Sequence, residues 1–345
     1  MMASRRMHWR HLATLLCLLL AAVALSCSPR AKREVVVYTA VDQIFSEPFL
    51  KEFERETGIV VKPRFDIEAA KTTGLVNALI AEQDRPRADV FWNNEIAQTL
   101  TLQERGLLQP YVSPNAADIP ATYKDPDGYW AAFGGRARVF IINTDLLAPE
   151  DYPTSLWDLL DERYPAASIG IAKPLFGTTA THAAALYATW GPEETLGFFT
   201  ALQQRGVRFV DGNSVVRDMV QDGQLAFGLT DTDDALISLE KGKPVALVFP
   251  DQGPGDVGTL VIPNTVAMVR GGPNPDEARV FIDYLLRPES ERRLVEMGWC
   301  QVAIRPVGAA SPLELEGLKT MDVTFQAVLN MLGRMLEELR PVFVN

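Results

Sequence analysis

Cysteine and histidine are nearly missing from this chain, with three of each among 345 residues. Cys17, Cys27, His8 and His11 all fall at the start, so the body of the chain keeps only Cys300 and His182. That count excludes a zinc site of Cys and His ligands and an internal disulfide. Cys300, in "MGWCQVAI", reads as a small buried residue rather than a nucleophile. Neither a Gly-x-Ser-x-Gly elbow nor a P-loop occurs, which removes the usual motif grounds for an exported enzyme. A basic surplus is missing too: 44 Asp and Glu stand against 33 Lys and Arg, a formal net charge of −11. Such a surface repels phosphate backbones, so nucleic acid is not an expected partner.

Long apolar runs are equally scarce. The one at the start, "LATLLCLLLAAVAL", follows a basic head of Arg5, Arg6 and Arg10. It is too short and too early for a membrane span and reads as a secretory signal. Its end, "ALSC", resembles a lipoprotein cleavage box, which gives a leader of residues 1–26 and a lipidated Cys27. Plain signal cleavage is the alternative. The expected location is the periplasm or cell envelope, with the membrane reached only through the lipid anchor. Loss of the leader's three arginines leaves 319 residues at a net charge of −14, enough chain for two domains.

The remainder alternates. "EVVVYTA", "VVKPRF" and "ADVFWNN" read as strands. Between and after them come helices at "IFSEPFLKEFERETGI", with Phe45, Phe49, Leu50 and Phe53 on one face, and at "TTGLVNALIAEQ" and "EIAQTLTLQERGLL". Beyond a Pro- and Tyr-rich stretch the order resumes. "RARVFIINT", "SIGIAK", "VRFV" and "QLAFGLT" are strands, and "THAAALYATWG", "PEETLGFFTALQQRG" and "SVVRDMVQDG" are helices. Strands apolar nearly throughout imply a sheet covered on both faces. The expected class is α/β in two lobes, 34–132 with 260–345, and 133–259. The chain should cross near 133–140 and return near 258–266. Ligands of such sheets bind beyond the carboxyl ends of the strands. The loops "TAVDQ", "WNNE", "PLFGTTATH", "GNS" and "TDTDD" fall there.

Six stretches, in this order and spacing, resemble the bacterial extracellular solute-binding proteins, the capture subunits of ABC importers. They are "VVVYTA", "FERETGIVVKPRF", "RADVFWNNEIAQTLTLQERGLLQPY", "GGRARVFIINT", "GNSVVRDMVQDGQLAFGLT" and "GPNPDEARVFIDYLLRPESERRLVEMGW". Within that family the chain is most similar to the ferric-iron-binding group. The resemblance implies a type II periplasmic-binding-protein fold, each lobe a helix-flanked mixed sheet, closing on its ligand about a hinge. It also implies permease and ATPase partners, a monomer, no enzymatic activity, and iron(III) or a related metal ion as cargo, held with a synergistic anion. One departure stands out. Where relatives place a tyrosine pair after the strand matching "LAFGLT", this chain has Asp233 and Asp234. A histidine of some relatives falls near Asp42, and a glutamate falls at Asn94, with Glu95 beside it. Carboxylates and amides thus replace phenolates and imidazole, which leaves a small organic cation or a phosphorylated solute as the alternative cargo.

Asp42, Asp233 and Asp234 are the candidate metal ligands. Two carboxylates about 5 Å apart repel by roughly 3 kcal/mol at an effective dielectric near 20. A site that gathers them must therefore raise their pKa values or hold a cation. The same stretch carries a helix-start signal, with Asp231 or Thr232 as cap, and the two readings are compatible. Tyr38 and Trp92, at strand ends, are candidate cleft contacts whose rings attract cations; the core rim is their alternative. Gly177, Thr178 and Thr179 present N–H groups and hydroxyls at a helix start. The resemblance assigns that loop, with Asn213, to the anion. Arg136 is the crossing-strand cation expected in the cleft, and Arg138 is expected to face solvent. His182 reads as a packed residue.

Overall fold

The computed structural model describes residues 33–41, 43–65, 73–308, 313 and 317–344. The expected leader, Cys27 and Asp42 lie outside them. Ten strands form one mixed sheet in the order β2-β1-β3-β10-β5-β8-β6-β7, with β4 on β10 and β9 on β5. The strands are β1 (Glu34–Thr39), β2 (Val60–Phe65), β3 (Val90–Asn93), β4 (Leu108–Gln109), β5 (Trp130–Asn143), β6 (Ile169–Ala172), β7 (Arg208–Val210), β8 (Phe227–Asp231), β9 (Val245–Val248) and β10 (Val261–Val269). β1 pairs in parallel with β2 and β3, and β6 with β7 and β8. The pairs β10–β3, β10–β5 and β5–β8 are antiparallel.

β5 belongs to both halves. Trp130 to Ala137 pair with β10, while Arg138 to Asn143 pair with β8 and β9. The sequence places this strand only from Arg136, past Gly134 and Gly135, where glycines usually weaken a strand. The structure uses them differently. Gly134 takes the left-handed φ of +54°, and a Cβ there would overlap Cys300. Its amide donates to Glu291 Oε1 at 2.8 Å. The crossing strand is therefore kinked and pinned rather than interrupted.

The helices are α1 (Gln43–Thr57), α2 (Thr73–Ala81), α3 (Ile96–Glu104), α4 (Gly177–Thr189), α5 (Pro192–Arg205), α6 (Asn213–Gln221), α7 (Thr232–Glu240), α8 (Pro275–Leu285), α9 (Pro288–Glu296) and α10 (Phe325–Phe343). The long helical pattern after Pro275 breaks into α8 and α9 because the residue before Pro288 is driven out of helical geometry; Arg287 sits at ψ 143°. α5 ends on Gly206 in the left-handed conformation, as its composition predicts. α10 packs on α4 and also reaches α3 and α5. "GPGDVG", 253–258, has the glycine spacing of a dinucleotide loop, but it leads into β10 and no helix follows. The apolar residues divide between two clusters. One gathers Phe49, Phe53, Trp92, Phe133 and Phe281, and the other Phe91, Phe140, Phe227 and Leu186.

Candidate functional site

β8 ends at Asp231 and α7 begins at the next residue, so the strand runs into the helix without a loop. Asp231 holds the N-cap position but makes no cap bond. Its Oδ1 accepts from Arg138 Nη1 at 2.6 Å. Its Oδ2 accepts from the Thr178 hydroxyl at 2.6 Å and the Asn213 amide at 2.9 Å. The capping expectation thus has the right position and the wrong bond. Asp233 accepts from Arg136 Nη1 at 3.0 Å, and Asp234 from Arg217 Nη1 at 3.0 Å. Each aspartate has an arginine of its own, while the three carboxylates keep ligand atoms within 4.8 Å of one another.

The cluster is layered by depth. Asp231 and Arg138 are 3% and 0% exposed, Asp234 and Arg217 14% and 15%, and Asp233 34%. Burial and the neighbouring charges of Asp233 and Asp231 push the Asp234 carboxyl up to about 7, against the pull of Arg217 and Arg136. Asp233 moves the same way, first by burial, with Arg136 opposing; its greater exposure screens the effect.

Arg138 corrects the sequence reading. It does not face solvent. Residues two apart on a strand share a face, so Arg136 and Arg138 both turn toward the cluster, and β5 sets Arg138 directly opposite Asp231. Its Nη1 also lies 3.2 Å from Asn213 Oδ1 and 3.3 Å from Thr178 Oγ1. Its Nε and Nη2 find no acceptor among the described residues. Idle N–H groups on a wholly buried guanidinium are costly.

Gly177, Thr178 and Thr179 form the first turn of α4, the helix start that the sequence predicts. Gly177 opens α4 at φ +57°. Thr179 donates to Asn213 Oδ1 at 3.2 Å, and Asn213 is the first residue of α6. Helices α4, α6 and α7 therefore all start here, with their positive ends gathered at one point. Arg217, absent from the predicted site, is one turn along α6 from Asn213. That i, i+4 spacing is the sequence signal that could have found it.

Glu95 and Asn94 reach the same region in structural roles. Glu95 caps α3, accepting from the Ala97 amide at 2.6 Å and the Gln98 amide at 3.3 Å, and takes the Thr181 hydroxyl of α4 at 2.8 Å. Burial raises its carboxyl, with those donors opposing. The Asn94 carbonyl accepts from Arg136 Nη2 at 3.3 Å. Tyr38 and Trp92 are corrected. The Tyr38 hydroxyl donates to Glu82 and accepts from Arg64, both at 2.9 Å. Trp92 is wholly buried among Phe49, Phe133 and Trp299. A strand buried on both faces gives a terminal aromatic no route to the cleft. His182 is buried, and desolvation, then Arg138, holds it neutral. Cys300 is buried with its thiol pushed up, the packed role expected of it.

The family of bacterial extracellular solute-binding proteins matches residues 38–292. The chain belongs to this family. Among curated relatives of this solute-binding protein, the major ferric iron-binding protein of Neisseria meningitidis serogroup B is 27% identical over 289 residues, covering 80% of this chain and 82% of the relative. Iron-bound HitA from Pseudomonas aeruginosa superposes with a TM-score of 0.79 at 23% identity, over 90% of this chain and 100% of that one. The periplasmic binding protein AfuA from Actinobacillus pleuropneumoniae, with fructose-6-phosphate bound, gives 0.76 at 23% identity, over 90% and 98%. The solute-binding protein has the two-lobed fold of these neighbours.

Proposed function

We propose that this protein is the capture subunit of an ABC importer and that its ligand carries a phosphoryl or carboxylate group. Arg138 is the observation that carries the reading: a guanidinium with no exposure, two nitrogens, Nε and Nη2, without an acceptor among the described residues, and three helix starts around it. Bidentate recognition of an oxyanion is what such a guanidinium does best. The aspartates are matched one to one by arginines, so the cluster offers a bare cation little net attraction. Asp233, the most open of the three, is placed to accept from hydroxyl or amine groups of the solute body.

Export to the periplasm or envelope, anchorage at Cys27, and the lobes 34–132 with 260–345 and 133–259, closing about the crossing strands, complete the reading. A second reading is iron(III). It is favoured by three carboxylates with ligand atoms within 4.8 Å and by the ferric-binding relative. It requires the arginines to swing aside.

The test is elemental and small-molecule mass spectrometry on the undenatured protein. About one phosphorylated or carboxylate solute per chain, without stoichiometric metal, is the expected result. Stoichiometric iron removable by a chelator overturns it in favour of the metal reading.

A further inference from the structure

Asp231 is held by donors from two helix starts and the crossing strand. Its carboxylate takes the Thr178 hydroxyl at the start of α4, the Asn213 amide at the start of α6, and Arg138 Nη1. Helix starts, hydroxyls and guanidinium are the donors that oxyanions use. The cradle is also larger than its occupant. Asp231 engages Arg138 through Nη1 alone, and Nε and Nη2 stay idle although the side chain has no exposure. A carboxylate has two oxygens, both already committed here; a phosphate has more to offer the same donors.

We propose that Asp231 is the internal occupant of an oxyanion site, a specificity-determining residue that keeps out free inorganic phosphate or carbonate. It yields only to a solute with further groups to anchor. This rests on the reading above that Arg138 belongs to the ligand site. A tethered carboxylate competes at high effective concentration, and its charge repels a second anion beside it. A small free anion has only the cradle to bind and loses that competition. A solute whose body also meets Arg136 and Asp233 displaces the carboxylate with the added contacts. Discrimination of this kind works through a built-in repulsive element.

The probe is inorganic phosphate, followed by titration calorimetry. Wild type is expected to show no saturable binding at millimolar phosphate. Asp231→Ala should bind one phosphate per chain, at least about tenfold more tightly than wild type. Asp231→Ala with Arg138→Gln should lose that gain. Asp231→Asn, which keeps the shape and removes the charge, should gain in the same direction and carries the test if the alanine variant does not fold by circular dichroism. The proposal is overturned if wild type binds phosphate as tightly as Asp231→Ala. It is also overturned if folded variants bind no better than wild type. Should that happen while Arg138→Gln still releases the solute that wild type retains, the proposal fails alone. Should Arg138→Gln keep that solute, the assignment of the site fails with it.

Discussion

Arg138 and Asp231 meet at 2.6 Å with almost no exposure on either side chain. Breaking a pair of this kind by removing one partner leaves an uncompensated buried charge, which costs about 3–5 kcal/mol. Arg138→Met is expected to lose about that much in guanidinium denaturation, and Arg138→Met with Asp231→Leu to recover part of it; equal losses would mean the pair is not coupled. Asp234 contributes to the response to pH. Its carboxyl is pushed up to about 7, whereas an unfolded aspartate titrates near about 4. Between those values the folded protein holds a proton that the unfolded chain lacks, so stability falls as pH rises from about 4 to about 7. Asp234→Asn should flatten that segment of the stability curve. The groups facing Asp234 are Asp231, Asp233, Arg136 and Arg217. Ionising it adds negative charge among them, so affinity for an anionic solute should weaken as pH rises through about 7. A metal cation should show the opposite trend in the same titration.

The crossing strand β5 is the element on which the site depends, since it delivers both Arg136 and Arg138. Its kink at Gly134 is held from behind. Glu291, wholly buried, accepts the Gly134 amide and pairs with Arg305 at 3.0 Å. Gly134→Ala meets two costs, a left-handed backbone and overlap with Cys300. The first is worth about 1–2 kcal/mol and the second about 1–3 kcal/mol. A loss of at least about 2 kcal/mol in thermal or chemical denaturation is expected, and a loss near zero would show that the strand relaxes freely at this point. α3 and α4 form the other structural junction: Glu95 caps the first and takes a hydroxyl from the second. By its position after β3, Glu95 reads as a ligand candidate. Its oxygens are occupied by the ends of two helices instead.

Over the whole molecule, β5 and β10 run between the two halves of the sheet, and α10 packs on helices of both. The Arg136–Asn94 and Glu95–Thr181 bonds also bring the start of α3 to the second half of the fold. A hinge through the crossing strands predicts that emptying the site breaks such contacts. Small-angle scattering should then show the radius of gyration falling as solute is added. An unchanged radius would rule out rigid-body closure. Saturation at about 100 times Kd should stabilise the protein by about 2.7 kcal/mol, which differential scanning calorimetry reads as a concentration-dependent rise in Tm.

Composition and periodicity alone determined the α/β class, the order of strands and helices, and the gathering of polar loops at strand ends. These follow from local spacing, which the chain carries in itself. Residue type and position also marked Gly177, Thr178, Thr179 and the three aspartates, while Asn213 came from the family resemblance. What no local pattern decided was the partner of each charge. Arg138 meets Asp231 because β5 and β8 pair in one register, and a slip of one residue would turn it to the other face. Arg217 meets Asp234 because α6 and α7 start side by side. Tyr38 and Trp92 sit at strand ends like ligands, yet strands covered on both faces lack the alternation that separates inside from outside. Only the tertiary packing assigned Trp92 to the core and gave Asp231, Asp233 and Asp234 an arginine each.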